Sequence, residues 1–488
     1  MRLLRPNTQN HAIALAFIAL AISLQLVFWW KADWPAGGQD SWNHYLYARF
    51  APAHPELFID QWGKPFFTLI AVPFAYFGIE GIYVMNILSI AAGAWLLFLT
   101  ARRLNFKMPW LASLFFLFQP VVFGNTISAL TEPLNALALC LALYWLTSLR
   151  YLPAAILVSL FPFFRSEGII LWAVVFLFFV LRSLWKPLIW LFSGTLVLSL
   201  AGAVYSGDLF WILTHNPYFK AELDNRFQIG HGDFLHYLHA QRQIWGIAVT
   251  VLSALALAWL LAHVVYLVQR KTPEEKSRFC FWLVAPMFLA FFTAHSWIWY
   301  TGSFGSHGLL RVFLLTAPLT AILAQYGADK LLSIDIKILK RVFIIGTFVF
   351  VLYGAYDGSD TPYPWQTKPS VAAFSGEPQL HQALKFIESK GLKDKVLLHQ
   401  LPWLNAQLGL DPWAKPEVAK TFYIWSIDKR PGKDWMPDSA VVLWDNFHAR
   451  RDAPMPLADM RKLSQYKELA YFPAKDSIYD VRVFIKAE

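Results

Sequence analysis

Residues 31 to 78 place Asp40, His44, Arg49, His54, Glu56, Asp60 and Lys64 among Trp34, Trp42, Tyr45, Tyr47 and Trp62, between the first membrane-length apolar run and the second. Ionisable side chains are costly near a bilayer, so a cluster of both signs at its edge marks a functional site. The plainer reading is a polar loop with an aromatic belt. Asp40 and His44 stand four residues apart and share a face if the segment is helical. Such a pair serves as a base with its orienting partner, or as two ligands of a divalent ion such as Mg or Mn, although two ligands alone make weak grounds for a metal site. Lys64, Arg165, His307 and Arg311 offer positive charge at headgroup level to a lipid-linked phosphate. A carboxylate to deprotonate a hydroxyl, cations to hold a phosphate leaving group and aromatic faces for a sugar together suit glycosyl transfer.

The elements that must position these residues lie in lipid. The 488-residue chain is 57% hydrophobic and 15% charged, with a mean hydropathy of +0.42, more apolar surface than a soluble domain hides. Its formal charge of +10 is spread over short loops between apolar runs, which is topology information and not a nucleic-acid patch. Cys140 and Cys280 lie in or beside apolar runs and imply neither a disulfide nor a thiolate metal site. The run from Ala12 to Trp30 follows Arg2 and Arg5 without a small-residue cleavage site and reads as a retained first helix. Hydropathy predicts about eleven spans, near 12–30, 81–101, 110–127, 133–149, 152–164, 168–184, 187–206, 244–268, 279–299, 309–326 and 342–356.

Loop charge orients them. Arg2 and Arg5, then Arg102, Arg103 and Lys107, Arg150, Arg182 and Lys186, Arg270, Lys271, Lys276 and Arg278, and Lys330, Lys337, Lys340 and Arg341 fall on one side, which is therefore cytoplasmic. The first loop then faces the periplasm, and its tail from Pro65 to Gly78, interrupted by Pro73, reads as an interfacial helix. On the same outer side stand a hairpin at Thr131-Glu132-Pro133, another at Arg165 to Gly168, a loop from Asp208 to Arg242 and a turn from Gly302 to Arg311. Glu132 and Glu167 suit helix N-termini electrostatically, so capping competes with a site role for each.

Beyond Tyr356 the composition changes. Asp357 to Lys368 reads as a linker between a transmembrane catalytic domain (1–356) and an outer C-terminal domain (357–488) of α/β or α+β type. Strands are expected at 396–398, 440–444 and 481–485, and an amphipathic helix over 378–390. The sequence holds no glycine-rich phosphate loop, zinc-type Cys/His pattern, internal repeat or Asn-x-Ser/Thr sequon. The missing sequon favours a bacterial inner membrane over a secretory lumen.

In order, the motifs are DSWNHYLYA from Asp40 to Ala48, WGKPF from Trp62 to Phe66, TEPL from Thr131, RSEG from Arg165 and SHGLLR from Ser306 to Arg311. At these residues the chain resembles the GT-C superfamily of polytopic glycosyltransferases, over roughly residues 1 to 356. The resemblance implies transfer of a sugar from a polyprenyl-phosphate carrier to a lipid, glycan or protein acceptor, mannosyltransferase-like in type. It implies that Asp40 matches the family's catalytic acid and that Asp60 or Glu56 matches a second one. Lys64, His307 and Arg311 would then contact the donor phosphate, with His44, Arg165 and Glu167 completing the substrate site. Asp40 is a lone Asp-Ser where relatives carry paired acids, which leaves the metal requirement open. Val312 follows Arg311 where many relatives carry Tyr.

Three other classes compete. A lipid-linked sugar flippase places ionisable residues in mid-span around a cavity, whereas here they gather at one face. An O-antigen ligase or polymerase uses the same carriers on the same side but leans on arginines of a large late loop. A docking protein accounts for the C-terminal region and not for Asp40.

Overall fold

The computed structural model describes residues 8–32, 34–218, 230–269, 274–334, 336–357, 378–415, 417–423, 432, 436–448, 455–474 and 479–487. Arg2, Arg5, Lys220, Glu222, Asp224, Arg226, Arg270, Lys271 and the linker from 358 to 368 lie outside the described residues.

The chain is a helical polytopic membrane protein with a small C-terminal sheet region. Five described helices are long and apolar enough to cross a membrane: Thr8–Lys31, Ile79–Arg103, Trp185–Ser206, Glu275–Thr301 and Leu310–Leu331. Shorter apolar helices at Glu132–Thr147, Tyr151–Phe164, Gly168–Leu181 and Ile247–Ala262 pack among them. Leu310–Leu331 is the central element, 94% buried, against the helices Ile247–Ala262, Trp110–Leu117 and Ile79–Arg103. It carries Arg311 at one end and Asp329 at the other. Asp329 fixes that far end by pairing with Lys276 at 2.7 Å and accepting the Lys107 backbone N–H at 2.9 Å.

One expected span is broken. Residues 110–127 form two short helices, Trp110–Leu117 and Pro120–Asn125, because Pro120 drives Gln119 into an extended conformation (φ −63°, ψ 131°). The Gln119 side chain anchors the break to the central helix by donating to Ala317 O (2.9 Å) and accepting from Thr320 Oγ1 (2.9 Å). The following residues, 126–131, are irregular and buried. Non-helical backbone at such depth persists only where protein pairs its polar groups. Asn86 donates to Ser128 O and Leu130 O, while Ser41 Oγ accepts the Ala129 N–H. The Thr131-Glu132 turn, expected as a hairpin between two spans, is thereby packed beneath the first loop.

That loop opens with Gly37 and Gly38, both at positive φ (81° and 56°), a reversal that residues with a Cβ resist. The helix Gln39–Phe50 follows, then a single turn at Pro55–Phe58 and the helix Pro65–Ala75, which contains Pro73. The C-terminal region forms a five-stranded sheet from β1 (Leu397–His399), β2 (Thr421–Tyr423), β3 (Val441–Asp445), β4 (Tyr466–Phe472) and β5 (Val481–Lys486). The order is β2-β1-β3-β5-β4, parallel through β2, β1 and β3 and antiparallel through β3, β5 and β4. The helix Pro378–Ser389 and the three expected strands are present. The two edge strands, β2 and β4, carry short or charge-interrupted sequences that hydrophobic alternation does not reveal.

Candidate active site

Five side chains from four segments form one chain of alternating charge. Arg311 Nη2 donates to Asp40 Oδ2, and its Nη1 faces Gly37 O at 3.4 Å. Its Nε lies 3.6 Å from Glu132 Oε1, and the same oxygen lies 2.7 Å from Arg165 Nη1. Arg165 Nη2 donates to Glu167 Oε1 at 2.6 Å, and its Nη1 to Thr131 Oγ1 at 3.2 Å. The chain is therefore Asp40, Arg311, Glu132, Arg165, Glu167. Its centre is dry, with the Glu132 side chain 1% exposed, while Asp40 at its end is 46% exposed. An open carboxylate braced by a buried network can meet a substrate without losing its direction.

The electrostatics follow from that arrangement. Burial by neighbouring chain pushes the Asp40 carboxyl up, but the charge and hydrogen bond of Arg311 outweigh it and hold the group below its ordinary value. For Glu167 burial is likewise opposed and overcome by Arg165, which takes the carboxyl down to about 2. Burial alone would lower Arg165, and its two glutamates instead raise it. Asp40 and Glu167 are therefore carboxylates at neutral pH.

Lys64 is the unusual cation. It is 3% exposed, and its Nζ donates to Gln61 O (2.8 Å), Ser166 Oγ (3.1 Å) and Tyr218 OH (3.2 Å). No carboxylate among the described residues reaches it within ion-pair distance. Its backbone sits at φ 64°, a left-handed conformation costly for a non-glycine residue and doubly so before Pro65. Such local strain concentrates at functional sites. The turn that holds it is built by Asp60, whose Oδ1 accepts the Gly63 N–H at 2.7 Å. A Cβ on Gly63 would stand 2.3 Å from the Tyr47 ring, so the turn also needs glycine. Asp60 is raised by burial, which outweighs its hydrogen bonds from Gly63 and Trp62.

His44 lies one helical turn beyond Asp40 and is buried, stacked on Trp62 at 4.7 Å and edge-on to Phe67 at 5.3 Å. Burial lowers it to about 3, so the imidazole is neutral, and Nδ1 has no hydrogen-bond partner. His307 is exposed on the loop before Arg311, close enough for its charge to act on Asp40. Glu56 is held by Tyr205 OH (3.2 Å) and His54 (3.6 Å), apart from the arginine network. Among the described residues no group of three His, Cys, Asp or Glu side chains is placed to hold a metal ion, and Asp40, Glu132 and Glu167 are each engaged by a guanidinium.

The structure thus joins Asp40, Arg165, Glu167 and Arg311 and places Lys64 beside Ser166. The residue absent from the sequence-derived set is Glu132, which stands at the centre. Its sequence signals were its place in the TEPL motif and an acid opening an apolar helix, and capping explains the second equally well. It makes no N-terminal side-chain cap, since both its arginine partners come from elsewhere in the chain.

A solved structure settles the architecture. ArnT from Cupriavidus metallidurans, in a crystal structure bound to undecaprenyl phosphate, superimposes with a TM-score of 0.56 over 96% of this chain and 97% of that one, at 13% sequence identity. The chain shares the fold of that protein. No protein-family model matches the sequence, and no curated protein matches it. With 96% of the chain covered, the likeness extends beyond the membrane helices into the C-terminal sheet region. An identity this low carries the fold alone, so the chemistry rests on the side chains described above.

Proposed function

We propose that the protein transfers a sugar from a polyprenyl-phosphate carrier to an acceptor hydroxyl at the outer, periplasmic face of a bacterial inner membrane, with inversion at the anomeric carbon. The observation that carries this reading is the pairing of a half-exposed Asp40 with Arg311, in a network whose Arg165 and Glu167 flank Ser166, the residue that holds a buried Lys64 with no carboxylate partner among the described residues. The solved structure of the same fold holds a polyprenyl phosphate, a ligand of the chemistry these cations suit.

Lys64 and Arg311 receive the donor phosphate. A phosphodiester carries one negative charge and leaves as a monoester that gains a second as the glycosidic bond breaks, so cations nearby favour the transition state over the ground state. Directly after Lys64, a cavity of about 160 Å³ lined by Phe58, Pro65, Phe66, Leu69 and Leu198 is apolar enough for the first prenyl units. When Arg311 turns from Asp40 to the phosphate, Asp40 loses the partner that holds its pKa down and becomes the stronger base. Asp40 takes the proton from the acceptor hydroxyl, the hydroxyl oxygen attacks the anomeric carbon, and the electron pair of the breaking C–O bond passes to the phosphate oxygen. Base and leaving group on opposite faces of the ring give a single displacement, hence inversion. The remaining glutamates keep the arginines ionised and aimed.

Purified protein in lipid nanodiscs, given a panel of polyprenyl-phosphate sugars and a cell-envelope extract, should release free polyprenyl phosphate only when an acceptor is present. The linkage formed should have the opposite anomeric configuration to the donor. Release without any acceptor-bound product would refute the transferase reading.

A further inference from the structure

The C-terminal region does not stand apart from the network. Its segment 402–413 lies along the helix Gln39–Phe50 and grips it at both ends. At the N-terminal end, Trp403 donates its backbone N–H to Gln39 Oε1 at 3.1 Å, one residue before Asp40. The Trp403 ring, 2% exposed, packs against Trp34 (5.9 Å) and His381 (5.1 Å). At the C-terminal end, Asp411 Oδ2 lies 2.7 Å from His54 Nε2, just past the helix. Asp411 Oδ1 accepts the Trp413 N–H at 2.9 Å, and the Trp413 ring meets Tyr47 edge-on at 4.7 Å and lies 6.4 Å from Phe50.

The gripping segment is itself braced by the sheet. His399 closes β1, and its Nδ1 accepts the Leu401 N–H at 3.0 Å, which leaves the proton on Nε2 facing Asn405 Oδ1 (2.8 Å) and Thr421 Oγ1 (2.7 Å). The short helix Pro402–Leu408 is thus tied to β1 and β2 before it touches the first loop. The helix it holds needs an outside hold, since its N-cap is Gly38 and no side chain caps its first turn.

We infer that Gln39, Trp403, Asp411 and Trp413 form a clasp through which the C-terminal sheet fixes the rotation of the helix Gln39–Phe50 and so aims the Asp40 carboxylate. These are positioning residues. The inference rests on the reading of Asp40 as the base. A carboxylate about 5 Å from a helix axis moves about 1 Å for every 10° the helix turns, and a 1 Å misplacement costs about 10²-fold in rate. The donor contacts through Lys64 and Arg311 belong to other elements and stay in place.

The test uses the full-length protein with Gln39→Ala at one end of the clasp and Asp411→Asn at the other. Each variant should lose 10- to 100-fold in kcat while its Kd for undecaprenyl phosphate stays within twofold of the parent. Hydrogen exchange of the amides in 39–50 should quicken in both. Parent exchange rates in both variants would overturn the clasp, whatever the reaction proves to be. Faster exchange with unchanged kcat would overturn the positioning role while leaving the transferase reading intact. Weakened undecaprenyl phosphate binding in step with kcat would also overturn it, by showing a general loss of structure.

Discussion

Glu132→Gln removes one charge from the driest point of the network and tests whether it works as a unit. The side chain keeps its shape, but Arg165, ion-paired at 2.7 Å, and Arg311, 3.6 Å away, lose the carboxylate they share. Breaking one side of a buried ion pair costs about 3–5 kcal/mol, and at 1% exposure no solvent screening reduces it. Arg165 retains Glu167 and Arg311 retains Asp40, so we place the loss near the lower bound, about 3 kcal/mol, visible as a lower unfolding temperature in detergent. The site also becomes one charge more positive. Polyprenyl-phosphate binding should therefore hold or tighten, while turnover falls about 10- to 100-fold because Arg311 clings to Asp40 and the base is not released. Binding and turnover should move in opposite directions, which general unfolding does not produce. A Glu132→Gln protein with parent stability and parent turnover would refute the network.

Arg311→Ala should lower turnover by about 10² or more and weaken donor binding, and Arg311→Lys should restore only part, since lysine lacks the bidentate fork; unchanged kinetics in Arg311→Ala would remove it from the site. In the parent enzyme the acid limb of kcat/KM should lie below the ordinary carboxylate value, because Arg311 depresses Asp40 in the free enzyme. The acid limb of kcat should lie at higher pH, because bound phosphate draws Arg311 away, and coincident limbs would contradict the exchange of partners. His44, neutral down to about pH 3 when folded but protonated below about 6.5 when unfolded, makes the unfolded chain bind the extra proton between those values, so stability falls on acidification with a slope of up to about 1.4 kcal/mol per pH unit. His44→Phe keeps the stack on Trp62 and should flatten that slope, read as unfolding temperature against pH. Gly63→Ala should cost about 1–3 kcal/mol through its clash with Tyr47 and abolish the turn that presents Lys64, whereas a normally folded, active variant would show the turn to be pliable.

The sequence exposed whatever was costly for its position. Charged residues beside apolar runs drew attention to Asp40, Lys64, Arg165 and Arg311, and hydropathy located the long helices, because lipid penalises misplaced charge steeply. Glu132 escaped because its purpose lies in partners at positions 165 and 311, and a lone acid at a helix start has a sufficient local explanation. Asp60 and Glu56 drew the same attention as Asp40, yet a carboxylate's use depends on its neighbours: Asp60 builds the turn to Gly63, and Glu56 meets Tyr205. The break at Gln119 was signalled by Pro120, although the apolar run around it hid the consequence. The clasp joins residues 39 and 403 through one hydrogen bond from the Trp403 backbone N–H to the Gln39 side-chain oxygen, and local sequence carries no mark of such a contact.

The central claim is that Asp40 takes the acceptor proton. Asp40→Asn preserves shape and removes the base, and an aligned general base contributes about 10²–10⁴ in rate. The decisive measurement is single-turnover sugar transfer in nanodiscs by Asp40→Asn, alongside its affinity for undecaprenyl phosphate. The account predicts transfer reduced by at least about 10², with the lipid phosphate still bound. Transfer at close to the parent rate would contradict it.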